Sequence, residues 1–153
     1  MNTEKAFKLI LLLSVLPLFF ALFLSVYFWL NLADLTHASF KLARLNSYIY
    51  AHSYGALLLA VFCGINIGHS IDTTRQGLFI LLNFVLILMA WLGYKSFGDW
   101  QGMTLLIFCW ILSLSIFRYF NRAEIATNGL YQSVSKLHIA AIVILTLITI
   151  ING

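Results

Sequence analysis

The chain has 153 residues, of which 62% are hydrophobic and 9% are charged. A soluble domain carries about 25% charged residues. This chain therefore has too few charges to cover a surface in water, and we predict a single integral membrane domain over residues 1–153. The formal charge of +4 comes from Lys and Arg residues in short connections and near the chain start, where topology signals lie. This placement excludes a nucleic-acid-binding surface.

Five apolar segments follow one another along the chain, and each is predicted to be a transmembrane helix. They cover residues 9–32, 48–69, 78–94, 102–120 and 130–151. The first is longer than the apolar core of a signal peptide, so we interpret it as a retained helix, kinked at Pro17. The short connections predict that sequential helices are antiparallel neighbours. The predicted fold class is an all-α bundle of five transmembrane helices.

The orientation follows from the basic residues, because Lys and Arg are enriched in cytoplasmic connections. With the N-terminus inside, six basic residues fall on the inner side and three on the outer side. We therefore predict the N-terminus inside and, with five spans, the C-terminus outside. The longest connection, residues 33–47, alternates apolar and basic side chains and is predicted to lie in the membrane interface.

The second predicted span carries a small residue at every fourth position. These residues are Ala56, Ala60, Gly64 and Gly68. Positions four apart lie along one ridge of a helix, and a ridge of small side chains lets another helix backbone approach closely. We therefore predict that this helix is central in the bundle and that its neighbours pack along this ridge.

Two asparagines, Asn66 and Asn83, flank the second connection at nearly equal distances. On antiparallel helices they are predicted to lie within about 3 Å of the same depth. Two amides at one depth can hydrogen-bond across the helices, which contributes ~0.6 kcal/mol on average in membrane proteins. The alternative is that they contact a polar ligand.

Four histidines are candidate haem ligands, namely His37, His52, His69 and His138. His52 and His69 lie at opposite ends of the second span, so they cannot hold one haem together. In the predicted topology His69 and His138 lie toward the inner face, while His37 and His52 lie toward the outer face. Two bis-histidine sites are therefore open on topology. The alternative is that each histidine is a polar side chain at a wet helix end.

Catalytic and metal-binding motifs are absent from the sequence, which has no glycine-rich phosphate loop, paired-cysteine spacing or HExxH. We predict no catalytic and no metal site. Cys63 and Cys109 are predicted to be small buried residues without a disulfide, and Ser113 and Ser115 to hydrogen-bond between helices. No acidic residue falls mid-span, which argues against an ion-coupled pump.

Basic residues gather around the fourth connection, together with one acid. They are Arg118, Arg122 and Lys136, with Glu124. We predict that they anchor the protein on lipid headgroups, and docking to a partner or to an acidic ligand is the alternative.

The stretch from Tyr54 to Gly68 resembles the signature of a family of small membrane proteins, domain of unknown function 3429, whose eukaryotic relative is called transmembrane protein 69. That signature runs Tyr-Gly-Ala, then apolar residues, Ser-Phe-Leu-Gly-Gly-Ile, a basic residue, Trp and Gly. Six positions match: Tyr54, Gly55, Ala56, Gly64, Ile65 and Gly68. Four differ: Ala60, Cys63, Asn66 and Ile67. The resemblance implies a protein of the bacterial inner membrane or of a mitochondrial membrane.

The lack of buried charge and of catalytic motifs, together with the packing ridge, favours a non-enzymatic accessory or assembly subunit of a larger inner-membrane complex. On this hypothesis no cofactor is predicted, and the partners are membrane lipids and other membrane protein subunits. The alternative is a small carrier that binds a lipid, a quinone or haem. A third class is an enzyme whose polar cluster forms only on folding. The predicted location is the bacterial inner (cytoplasmic) membrane, as a multi-pass protein.

Overall fold

The computed structural model describes residues 3–30, 37–69, 76–96, 99–122, 125 and 129–152. The side chains at 3–8, 37–45, 68–69, 76, 94–96 and 99 lie outside this description. Five helices make up the described part. They are α1 (Thr3–Leu30), α2 (His37–His69), α3 (Gln76–Ser96), α4 (Asp99–Phe120) and α5 (Gly129–Asn152). The predicted all-α class is confirmed.

Helix α2 begins eleven residues earlier than the sequence predicts, because residues 37–47 are helical rather than an interfacial connection. No Gly or Pro lies between His37 and Tyr54 to end a helix. Lys41 and Arg44 lower the local hydropathy, so the helix start predicted from hydropathy falls later than the observed start at His37. The result is a helix of 33 residues.

Four helices contain segments long and apolar enough to cross a membrane. These segments are Leu9–Leu30, Asn46–Ile67, Trp100–Phe120 and Gly129–Asn152. The apolar part of α3, Gly77–Gly93, is shorter. The predicted third span, residues 78–94, is therefore the one that falls below this length.

Helix α2 is the central element of the bundle, as predicted, because it contacts each of the other four helices. Each helix also contacts the next one along the chain, and α1 contacts α5. Helices α1, α5, α4 and α3 thus form an arc around α2. Within the described residues α1 and α3 do not touch, so the arc leaves one face of α2 uncovered.

The part of α1 around Pro17 is tied to α2 by a side chain from the central helix. The Tyr54 hydroxyl donates to the Ser14 carbonyl at 2.8 Å, close to Pro17. Pro17 has no N–H, so the Leu13 carbonyl, four residues earlier, loses its usual helical donor. The Ser14 hydroxyl does not replace that donor, because it donates to the Leu11 carbonyl at 2.6 Å. Tyr54 therefore fixes the position of α1 on α2 beside the proline.

Candidate functional site

The His138 side chain on α5 has no solvent exposure, as is also true of Ser113 and Asn83. Three aromatic rings surround its imidazole. Their centroids lie at 4.8 Å for Phe62, 5.2 Å for Trp110 and 5.7 Å for Phe117. The Trp110 indole N–H donates to the Gly55 carbonyl at 3.2 Å, which holds that ring against α2. We call His138 and these three rings, with Ser113 and Cys63 described next, the His138 cluster.

A chain of hydrogen bonds runs through the His138 cluster. Nδ1 of His138 lies 2.9 Å from the Val134 carbonyl, and because a carbonyl only accepts, Nδ1 carries the proton. Nε2 of the neutral ring is then an acceptor for the Ser113 hydroxyl at 3.3 Å. The Cys63 thiol lies 4.0 Å from the Ser113 oxygen and serves as its donor. Three helices, α2, α4 and α5, are joined by this chain.

The pairing of a serine with a histidine has the outline of a nucleophile and its base, but the surroundings do not suit hydrolysis. Cys63, Ser113 and His138 are each fully buried, so a substrate has no route to the hydroxyl. Nδ1 of His138 bonds the Val134 carbonyl rather than a carboxylate, so the imidazole lacks the acidic partner of a catalytic triad. The hydrogen bonds among Cys63, Ser113 and His138 therefore act as a polar link between α2, α4 and α5.

A small cavity adjoins the His138 cluster, and Phe117 and Val134 belong to its wall. Its volume is about 20 Å³. A polar site of this size accepts one water molecule. The polar residues of its lining are Asn66, Asn121 and Tyr131, and the remaining lining residues are Ile65 and Leu130.

The predicted hydrogen bond between Asn66 and Asn83 is not formed. Both side chains are buried, but the amide nitrogen of Asn83 donates to the Phe79 carbonyl of its own helix at 2.8 Å. The amide oxygen of Asn83 has no hydrogen-bond partner among the described residues. Asn66 instead faces the small cavity. The two residues therefore do not form one site.

Of the four candidate haem ligands the structure describes the side chains of His52 and His138, which belong to different predicted pairs. His52 lies against α4, where a Cβ added at Gly102 would come within 3.3 Å of its Nε2. Phe62, which contacts His138, is ten residues further along α2, or about 15 Å at 1.5 Å per residue. The side chains of His37 and His69 lie outside the described residues. No group of three metal-ligating side chains occurs in the described part of the chain.

The close helix contacts lie beside the predicted small-residue ridge and not along it. On α2, a Cβ at Gly55, the residue before Ala56, would lie 3.0 Å from the Leu106 side chain. Gly64, by contrast, is exposed, and a Cβ there would meet no atom within 4 Å. Gly64 therefore does not pack against another described helix of this chain.

The other members of the predicted ridge are intermediate cases. Ala56 and Ala60 are half-buried, and Ala56 packs against the core. The side of the helix at Gly68 lies outside the described residues. The α2 face that meets its neighbours instead contains Ala51, Gly55 and Cys63. The spacing of four residues is thus present, but the ridge is rotated toward the uncovered face.

A second polar cluster, which the sequence analysis missed, joins α1, α2 and α5 near one end of the bundle. The Asn152 amide donates to the Ser25 hydroxyl at 2.9 Å, and the Ser47 hydroxyl donates to the Asn152 amide oxygen at 3.4 Å. All three side chains are buried. Beside them the Tyr48 hydroxyl donates to the Thr149 carbonyl at 3.2 Å. Each residue looks, in the sequence, like a polar side chain near a membrane boundary.

Both cysteines are free and buried. Ser113 forms an interhelical hydrogen bond, as predicted. For Ser115 the prediction is wrong, because its hydroxyl donates to the Ile111 carbonyl of its own helix at 2.9 Å.

No family model, no curated protein and no solved structure matches this chain. What the structure defines is a class, an all-helical bundle with four helices long and apolar enough to cross a membrane.

Proposed function

We propose that this chain is a non-enzymatic integral membrane protein that serves as an accessory or assembly subunit of a larger inner-membrane complex. The observation that carries the proposal is the uncovered face of α2, which presents Leu57, Val61 and Gly64 at helical spacing. At Gly64 nothing lies within 4 Å of an added Cβ, so a transmembrane helix of a partner subunit can approach the α2 backbone there. Helices in lipid associate through such close approaches.

The bundle interior has little room for a ligand, which also supports a function that depends on the outer surface of the protein. Both ring nitrogens of His138 are occupied within the protein. The cavity beside that ring, about 20 Å³, has room for one water but not for a lipid, a quinone or haem. The polar groups of the His138 cluster are hydrogen-bonded within the protein, so few donors or acceptors remain there for a ligand.

The test is a purification from native membranes in a mild detergent. The tagged wild-type chain is expected to co-elute with a stoichiometric membrane protein, and Gly64→Leu is expected to lose it by a steric clash. Gly77→Leu is the matched control, because a Cβ at Gly77 also meets nothing within 4 Å but lies on α3. A wild-type chain that always elutes alone, or a partner retained by Gly64→Leu, contradicts the proposal.

We extend the proposal to location and orientation. The six-to-three distribution of Lys and Arg supports an inside N-terminus and, with α3 as the fifth span, an outside C-terminus. Membership of the domain of unknown function 3429 family is part of the same proposal. It is supported by the Tyr54–Gly68 stretch, and it implies the bacterial inner membrane or a mitochondrial membrane, of which we propose the first.

The alternative, a carrier for a lipid or a quinone, is favoured by one observation. An open groove of about 500 Å³ lies along α4 beside Trp100, Leu105 and Phe108, which is within the size range of small-molecule sites. Mass spectrometry of the lipid extract and an optical spectrum of the purified protein test this candidate. An enriched lipid or quinone that Thr104→Trp removes supports the carrier, since Thr104 also lines the groove.

A further inference from the structure

The end of the bundle where α4 leads into α5 carries a concentration of positive charge. Arg118, Arg122 and Lys136 are all exposed there. Against these three cations the same stretch of sequence has one carboxylate, Glu124, which lies outside the described residues. The surplus of positive charge makes this end attractive to an anion.

Arg118 is held in place by a side chain of the next helix. Its Nε–H donates to the Ser135 hydroxyl at 3.1 Å, and Ser135 is only 5% exposed. Arg118 has no other hydrogen bond or ion pair to the described residues. Because the guanidinium is planar and carries five N–H donors, fixing Nε leaves the Nη donors as an oriented fork, which suits two oxygens of a phosphate.

Arg122 lies four residues beyond Arg118, on the same face of the helical backbone. The turn continues past the end of α4, because the Asn121 N–H donates to the Phe117 carbonyl and the Ile125 N–H to the Asn121 carbonyl. Side chains four apart on a helix are neighbours, and like charges at this spacing repel. An anion shared by the two guanidinium groups removes that cost.

The apolar surface beside the cations shows which kind of anion fits. Lys136 is followed along one exposed face of α5 by Ile139, Val143 and Leu147. At the same end the Tyr119 side chain is 73% exposed, as expected of an aromatic residue at headgroup depth. A ligand with a phosphate at the cations and an acyl chain along α5 is complementary to both parts.

We propose that Arg118, Arg122 and Lys136 form a binding site for the phosphate of an anionic phospholipid, with Ser135 as the residue that positions Arg118. The lipid's acyl chain lies on the α5 face formed by Ile139, Val143 and Leu147. The site belongs to the lipid-facing surface and does not depend on the accessory role proposed above.

The test is native mass spectrometry of the purified full chain in a nonionic detergent. Dioleoyl phosphatidylglycerol, dioleoyl phosphatidylcholine and inorganic phosphate are titrated separately. The wild-type chain is expected to bind phosphatidylglycerol at least about tenfold more tightly than phosphatidylcholine, because hydrogen bonds between charged groups are the stronger ones. Inorganic phosphate is expected neither to bind detectably nor to displace the lipid, since it lacks the acyl chain.

The variants separate a built site from general attraction to positive charge. Arg118→Gln is expected to lower phosphatidylglycerol affinity about tenfold, and Arg122→Gln and Lys136→Gln about fivefold each. Ser135→Ala is expected to lower it about threefold while leaving phosphatidylcholine binding unchanged. Lys95→Gln is the matched control, because it also removes one positive charge but lies near the C-terminal end of α3, before the start of α4. Its affinity is expected to stay within about twofold of wild type.

Three results would overturn the proposal. The first is an Arg118→Gln chain that binds phosphatidylglycerol as well as Lys95→Gln does. The second is inorganic phosphate that displaces the lipid, which would make this a site for the free ion. The third is equal binding of the two lipids by the wild-type chain. If Arg118→Gln does not fold, the exposed variants Arg122→Gln and Lys136→Gln decide. If both of them bind phosphatidylglycerol as tightly as the wild type, the site is contradicted.

Discussion

The Ser113 hydroxyl on α4 and Nε2 of His138 on α5 lie 3.3 Å apart in the bundle interior. Both side chains are fully buried, so if one of them is removed, bulk water cannot take its place as the hydrogen-bond partner. Since Nδ1 of His138 carries the proton that is donated to the Val134 carbonyl, Nε2 accepts a hydrogen bond from the Ser113 hydroxyl. The Val134 carbonyl thus fixes the tautomer of His138, and the Ser113 contact then joins α4 to α5.

Ser113→Ala is expected to destabilise the protein by about 1–3 kcal/mol, because it leaves a buried acceptor unsatisfied. The measurement is the free energy of unfolding in detergent, followed by circular dichroism during denaturant titration. Ser115→Ala is the control, since the Ser115 hydroxyl is exposed and bonds within its own helix. Equal stability of the two variants would show that the Ser113–His138 contact contributes nothing.

The elements of the fold could be predicted from the sequence because apolar runs of membrane length are a strong signal. The central position of α2 was predicted from the spacing of its small residues, although the close contacts lie beside that ridge. The start of α2 did not, because Lys41 and Arg44 break the apolar run while leaving the helix intact. Hydropathy reports the preferred solvent of a segment, whereas a helix end is set by a stop signal such as Gly or Pro.

The polar contacts were harder to predict, because they depend on which faces meet. His138 looks like a polar tip at a helix end, yet its face of α5 also carries Val134, Ala141, Leu145 and Ile148, all buried. That spacing of three and four residues is visible in the sequence and could have placed His138 inside. Nothing in the sequence pairs it with Ser113, which lies 25 residues away on another helix.

The same limit explains the ridge on α2. A spacing of four residues defines a line of small side chains, but it does not say which side of the helix faces neighbours. Gly55 is adjacent to Ala56 in the sequence, and it is Gly55 that meets Leu106 and Leu145. The direction of the ridge depends on contacts with all four other helices at once.

From the cluster of Ser25, Ser47 and Asn152 we predict a modest energetic coupling between α1 and α5. Asn152→Ala and Ser25→Ala, combined in a double-mutant cycle, are expected to show a coupling energy of about 0.6 kcal/mol, with about 1.7 kcal/mol as the upper bound. The cycle is measured by unfolding in detergent. Ser133→Ala replaces Ser25→Ala in the control cycle, because the Ser133 hydroxyl bonds within its own helix. Coupling as large in the control would contradict the assignment.

The proposed orientation predicts the side on which the C-terminus lies. Fused to the C-terminus, alkaline phosphatase is expected to be active in a bacterial host, because it folds only outside the cytoplasm, whereas a fused green fluorescent protein is expected to be dark. Moving basic residues tests the cause, since Lys and Arg in short connections set orientation. Lys5→Gln combined with Lys8→Gln is expected to lower the phosphatase activity. Fluorescence from the wild-type fusion would contradict the five-span topology.

Gly102 and Gly64 predict opposite effects of the same substitution. A Cβ at Gly102 would come within 3.0 Å of the Gly93 carbonyl oxygen and 3.3 Å of His52 Nε2, so Gly102→Ala is expected to push α3 and α4 apart. Such overpacking costs about 1–3 kcal/mol. Gly64→Ala meets no atom within 4 Å and is expected to stabilise α2 by up to about 1 kcal/mol through helix propensity. Unfolding in detergent measures both, and a stabilising Gly102→Ala would show that α3 and α4 are not in contact at that glycine.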